Sequence, residues 1–110
     1  MRLGNKPFAT KQEIVEAVSK HCEDKVKFSE ELASTYGWPI GKWDVSHVTD
    51  FSEVFKGKRS FKEDISEWDT SSAVTFYCMF LGAILFNADL SRWKTSNVRN
   101  MSFMFYGANS

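Results

Sequence analysis

Trp43-Asp44-Val45-Ser46-His47-Val48-Thr49-Asp50-Phe51-Ser52-Glu53-Val54-Phe55 is answered 25 residues on by Trp68-Asp69-Thr70-Ser71-Ser72-Ala73-Val74-Thr75-Phe76-Tyr77-Cys78-Met79-Phe80. A third copy follows at the same interval, from Trp93 to Phe105. The register runs outward in both directions. Ile40, Ile65 and Leu90 stand three residues before each tryptophan, and Tyr36, Phe61 and Phe86 stand seven before it. Gly57, Gly82 and Gly107 follow two residues after each final phenylalanine. So many residue types on one period mark a repeat architecture, in which each unit buries its apolar face against its neighbours.

Each unit divides into two halves. Asp50, Thr75 and Asn100 share a register and are types whose side chains cap a helix N-terminus. Glu53 stands three residues after Asp50, in the manner of a capping box. Behind these caps, Phe51, Val54 and Phe55, then Phe76, Met79 and Phe80, then Met101, Met104 and Phe105 recur at helical spacing. The glycines suit a left-handed stop. The spacing therefore predicts a helix of under two turns per unit, too short to persist without packing. The other half, Ile40-Trp43-Val45, Ile65-Trp68-Thr70 and Leu90-Trp93-Thr95, has the pattern of a short strand in a leucine-rich-repeat coil. The fold expected is α/β: a leucine-rich-repeat-like right-handed solenoid over residues 36–110, of about three repeats with the last incomplete.

Residues 1–35 lie outside the period. Thr10-Lys11-Gln12-Glu13 is a capping box ahead of Ile14, Val15, Ala17, Val18 and Cys22, a helical stripe. Ser29 can cap a second, shorter helix through Leu32 and Ala33 that stops near Gly37 and Pro39. A repeat stack exposes its core at each end unless something covers it, so this pair is expected to be the N-terminal helical cap. At the other end the period asks for a core aromatic at position 111, beyond Ser110. The reading is either a longer array or an end covered by something else.

The composition narrows the function. The chain has 110 residues, with 14 basic and 14 acidic side chains. That is one domain, without the positive field a general nucleic-acid or anionic-membrane binder needs. No stretch reads as a membrane span or a signal peptide. Ten phenylalanines, four tryptophans and four methionines outnumber nine leucines and isoleucines, so aromatics carry the core. Cys22 and Cys78 read as idle thiols, neither a disulfide framework nor a metal site.

The quoted stretch from Trp43 to Phe55 resembles the repeat of the BspA-type, mycoplasma-type surface-protein family. Phe86-Asn87-Ala88-Asp89-Leu90-Ser91-Arg92-Trp93 and Thr95 to Phe105 resemble it more closely. The resemblance covers about residues 36–110. It implies a leucine-rich-repeat-like module used for adhesion or other protein contacts, without known chemistry, at a cell surface. Ala73-Val74, Tyr77 and Lys94 depart from the repeat pattern.

Catalysis has little to work with, since His21 and His47 are the only imidazoles and no nucleophile set, phosphate loop or metal spacing accompanies them. Asp64 and Asp89 read as turn formers. Lys56, Lys58, Arg59 and Lys62 read as a solvated loop. No cofactor, metal or nucleic acid is expected, and a protein partner is. Two surfaces compete for it. One is the strand face, with columns Lys42, Glu67, Arg92 and Asp44, Asp69, Lys94, which suits a monomeric recognition module. The other is Leu81, Ile84 and Leu85 with Tyr106, either an exposed apolar patch or residues tucked under a loop. With the unfinished end, that patch suits a structural subunit of a larger assembly.

Overall fold

Regular helix is confined to the first third of the chain in the structure, a computed structural model that describes residues 2–108. Helix α1 spans Lys11–Glu23 and starts at a complete capping box. The Thr10 side chain accepts from the Glu13 N–H (3.2 Å), and the Glu13 carboxylate reaches back to the Thr10 N–H. Helix α2 spans Lys25–Tyr36, so it begins earlier than the expected cap at Ser29. Asp24 caps it instead, accepting from the Lys27 N–H at 2.9 Å. One 3-10 turn, Ile40–Lys42, follows.

Among the described residues from Trp43 onward there is neither helix nor strand; Asp50, Thr75 and Asn100 form only isolated parallel bridges. The α/β leucine-rich-repeat-like solenoid is therefore corrected: no sheet forms, and the units contain no helices. Hydrogen bonding explains the difference. In the first unit three β-turns overlap, with N–H groups of Val54, Lys56 and Lys58 donating to carbonyls of Phe51, Glu53 and Phe55 (3.3, 3.1 and 3.0 Å). Glu53 (φ 64°) and Gly57 (φ 71°) hold the third position of the first and last turns, where a type II turn requires positive φ. A right-handed helix admits neither. Cys78 and Gly82, then Phe103 and Gly107, repeat this conformation.

The turns leave alternate N–H groups unused, and these join one unit to the next. Phe51, Glu53, Phe55 and Gly57 donate to the carbonyls of Thr75, Tyr77, Met79 and Leu81 at 2.8–3.1 Å. Phe76, Cys78, Phe80 and Gly82 donate in turn to Asn100, Ser102, Met104 and Tyr106 over the same range. A helix would spend these donors internally and leave successive units unlinked. Asp50, Thr75 and Asn100 cap no helix. Each side chain accepts from the backbone two residues on, at Ser52, Tyr77 and Ser102.

The linked turns stack their aromatics. Trp43, Trp68 and Trp93 point inward with neighbouring rings 6.5 Å apart, and Phe55, Phe80 and Phe105 lie parallel at 5.3 and 5.4 Å. Phe61 and Phe86 fill the return segment against Phe55 and Phe80. Each indole N–H finds a buried carbonyl: Trp43 that of Gly37, Trp68 that of Ile40, and Trp93 that of Ile65, at 2.9–3.0 Å. Helix α1 lies across the first turn, from Lys11 bonded to Ser52 Oγ (2.8 Å) to His21 packed on Phe61 and Trp38. Phe8 stacks on Tyr36 and meets Trp43, completing that end.

Candidate interaction surfaces

The stacking sets equivalent residues of successive turns side by side, so any surface is a set of columns. Lys42 and Glu67 pair at 3.2 Å, and Arg92 continues their column. Asp44, Asp69 and Lys94 form the next. Bonds donated by the side chains and backbone N–H groups of Ser46 and Ser71 hold the Asp44 and Asp69 carboxyls below the usual range. A cleft of about 330 Å³ lies between the columns, lined by Glu67, Asp69, Arg92 and Lys94 with Trp68 and Thr70 at its floor. Both signs of charge line it. Asp64 and Asp89 accept from the Ser66 and Ser91 N–H groups (2.9 Å each), which lowers their carboxyls likewise.

The apolar candidates fall on another face. Leu81 and Tyr106 share a register and are neighbours; Leu81 and Ile84 are half-buried, Leu85 is exposed and Tyr106 is 67% exposed. Ile84 and Leu85 also line a shallow cleft of about 260 Å³ with Arg59 and Ser60. Around Tyr106 the structure adds residues that sequence reasoning missed. Phe103 is 58% exposed and meets Tyr106 and Tyr77 edge-on at 5.8 and 6.4 Å. Met101 and Phe105 are about half exposed, although their equivalents Phe51, Phe76, Phe55 and Phe80 are fully buried. A signal was available, because the register of Glu53 carries Cys78 and then Phe103, and that of Lys56 carries Leu81 and then Tyr106. Polarity is lost turn by turn toward the C-terminal end.

Chemistry elsewhere is sparse. His21 is buried with Nε2 3.5 Å from Glu63 and no partner on Nδ1; burial lowers its pKa against the opposing pull of Glu63. His47 is exposed at a turn. Both cysteines are free thiols, and burial pushes Cys22 up. Among the described residues no group of three His, Cys, Asp or Glu side chains could hold a metal ion, and no helix is long and apolar enough to cross a membrane.

Turns of 25 residues stacked through aromatic columns, under two helices at one end, define a repeat protein whose distinguishing features lie on its surface. Residues 13–110 match the DUF285 family, described as Mycoplasma protein of unknown function, and the chain belongs to that family. No curated protein and no solved structure matches it.

Proposed function

We propose that the chain is a non-enzymatic protein–protein interaction module of the BspA-like surface-repeat type, and that the outward face of its third turn is the contact. One observation carries this reading: Phe103 and Tyr106 are exposed side by side at registers that face outward in the first turn as well, where Glu53 and Lys56 stand. Large apolar side chains gathered in one patch mark interaction sites more than isolated ones do. The mixed-charge columns Lys42, Glu67, Arg92 and Asp44, Asp69, Lys94 are the other candidate; within them Lys42 and Glu67 pair with each other.

The test compares the wild-type chain with a Phe103→Asp, Tyr106→Asp double variant, both immobilised and exposed to the proteins of the source cell and its surroundings. A partner retained by the wild type and lost by the variant supports the module. Equal retention by both, or none by either, removes the patch from the function. Size-exclusion of the free chain separates the competing reading as a fixed subunit of a larger assembly, which calls for insolubility without partners rather than a well-behaved monomer.

A further inference from the structure

Residues 2–9 form an extended strap laid over the helical end, held by one side chain and three backbone bonds. Only Phe8 is buried; Lys6, Pro7 and Ala9 stand in solvent, and Leu3 is 56% exposed. The N–H groups of Gly4, Lys6 and Phe8 donate to the carbonyls of Ala33, Thr35 and Asp44 at 2.9–3.0 Å. Those acceptors, and the rings of Tyr36 and Trp43 that Phe8 meets, all lie within residues 33–44. Toward α1 the strap is tied by Glu13, which takes the Ala9 N–H (2.9 Å) and pairs with Lys6 (3.5 Å).

The socket under the strap is selective. Phe8 lies 4.0 Å from Tyr36 and 5.2 Å from Trp43, much as Phe80 lies 4.2 Å from Phe86 and 6.2 Å from Trp93. Its ring thus takes the place of a turn's final phenylalanine, a register that falls on Glu30, exposed on α2. The backbone does not follow the turns. Phe55 and Phe80 donate to Met79 and Met104, whose register in the first turn is Val54, whereas Phe8 donates to Asp44. The site therefore holds a single extended segment and not a repeat unit. Four residues before the ring, a Cβ on Gly4 would run into the carbonyl oxygens of Ser34 and Thr35, and one on Gly37 would meet the Gly4 oxygen at 3.0 Å. Only glycine fits there, so the pattern recognised is an extended Gly-x-x-x-aromatic segment with N–H groups donating at alternate residues.

We infer that this socket is an exchange site: it releases the chain's own strap and takes the same segment of a second copy, giving a strap-swapped dimer. The bonds that seat the strap come from residues 33–44, so residues 4–8 of another copy make the same ones, and reciprocal exchange fills both sockets. Opening breaks three backbone bonds and unseats one ring, leaving the aromatic columns intact. The hinge is short, Ala9 and Thr10 between Phe8 and α1, which is the kind of connection that invites exchange. The tethered strap competes at the effective concentration of a short linker, so exchange sets in at roughly millimolar protein. It involves none of the third turn.

The experiment is sedimentation equilibrium of the full chain from micromolar to millimolar concentration, with isotope-filtered NMR on an equal mixture of labelled and unlabelled copies. The expected result is a monomer that gives way to a dimer at roughly millimolar concentration, with contacts between the Phe8 ring of one copy and the Trp43 ring of the other. An excess of a synthetic peptide of residues 2–10 should return the dimer to monomer. The same peptide carrying Gly4→Ala or Phe8→Ala should compete less well by roughly tenfold or more. In the full chain, Gly4→Ala and Phe8→Ala should each abolish the dimer while the helical far-ultraviolet signal is kept; if Phe8→Ala unfolds the chain, Gly4→Ala and the peptide competition decide. A monomer throughout, a dimer without the cross-copy Phe8–Trp43 contact, or equal competition by the Gly4→Ala peptide overturns the inference. The Phe103→Asp, Tyr106→Asp chain should exchange as the wild type does, and loss of the dimer there would place the contact on the third turn instead.

Discussion

Phe80 and Phe105 occupy the same position of successive turns, yet their replacement by alanine should differ sharply in cost. Phe80 is fully buried, with parallel rings at 5.3 Å on one side and 5.4 Å on the other and Phe86 at 4.2 Å. Truncating a phenylalanine in such a site costs about 3–5 kcal/mol from lost transfer energy and the cavity left behind. Phe105 keeps only the Phe80 side of this arrangement and is 48% exposed. Roughly half the transfer contribution and little of the cavity contribution remain, so its truncation should cost about 1.5–2 kcal/mol. The gap, about 2 kcal/mol, corresponds to melting temperatures separated by roughly 8–16 °C in a domain of this size. Chemical denaturation followed by tryptophan fluorescence, with scanning calorimetry as a second probe, measures both, and unchanged m-values confirm that the variants share one transition. Total stability at this size is about 5–15 kcal/mol, so a Phe→Leu pair at the same positions keeps the comparison measurable if alanine unfolds the chain. Equal losses at the two positions would refute the reasoning, because they would mean that Phe105 is as covered in solution as Phe80.

Three further outcomes follow from single features. Gly82 sits at φ 73°, where an added Cβ would approach only Gly57, at 3.7 Å; Gly82→Ala should therefore cost about 1–2 kcal/mol in denaturant midpoint through backbone strain alone, and Gly82→Asn less. Thr10→Ala removes the side-chain half of the α1 capping box and should lower stability by about 1 kcal/mol, with loss of helical far-ultraviolet signal preceding the main transition. His21 is held below its ordinary value of 6.5 by burial, with Glu63 pulling the other way and Lys25 beside it. The unfolded chain thus takes up a proton that the native one refuses, so stability should be flat above that pH and fall as pH drops below it. In His21→Leu that decline should be absent. A further loss, at more acidic pH, belongs to the lowered carboxyls, Asp44, Asp64, Asp69 and Asp89 among them, whose contribution disappears as pH falls through their folded values.

The aromatic columns were legible in the sequence because packing depends on which residues recur, and Trp43, Trp68, Trp93, Phe61 and Phe86 recur with nothing competing for their place. The backbone joining them was not. Phe51, Val54 and Phe55 fall on one face of a helix, and a run of overlapping turns that begin at every second residue buries the same three side chains. Apolar spacing alone does not separate the two conformations. The choice is made by the N–H groups: a stack of units joined edge to edge needs donors that point along it, and only the turns leave them free. Glu53 and Cys78 at positive φ gave no warning, since neither is a residue type that prefers that region. Thr10 and Glu13 were legible for the opposite reason, because a capping box names the atoms that bond.

The same distinction governs the surface. Columns such as Lys42, Glu67 and Arg92 can be written down once the period is known, and the structure sets Lys42 beside Glu67 as adjacent turns require. What the period cannot tell is which turn is last in a stack, and exposure depends on that. Phe105 belongs to the core by register and lies at the surface by position, whereas Phe103 and Tyr106 stand at registers that face outward in the first turn too, where Glu53 and Lys56 occupy them.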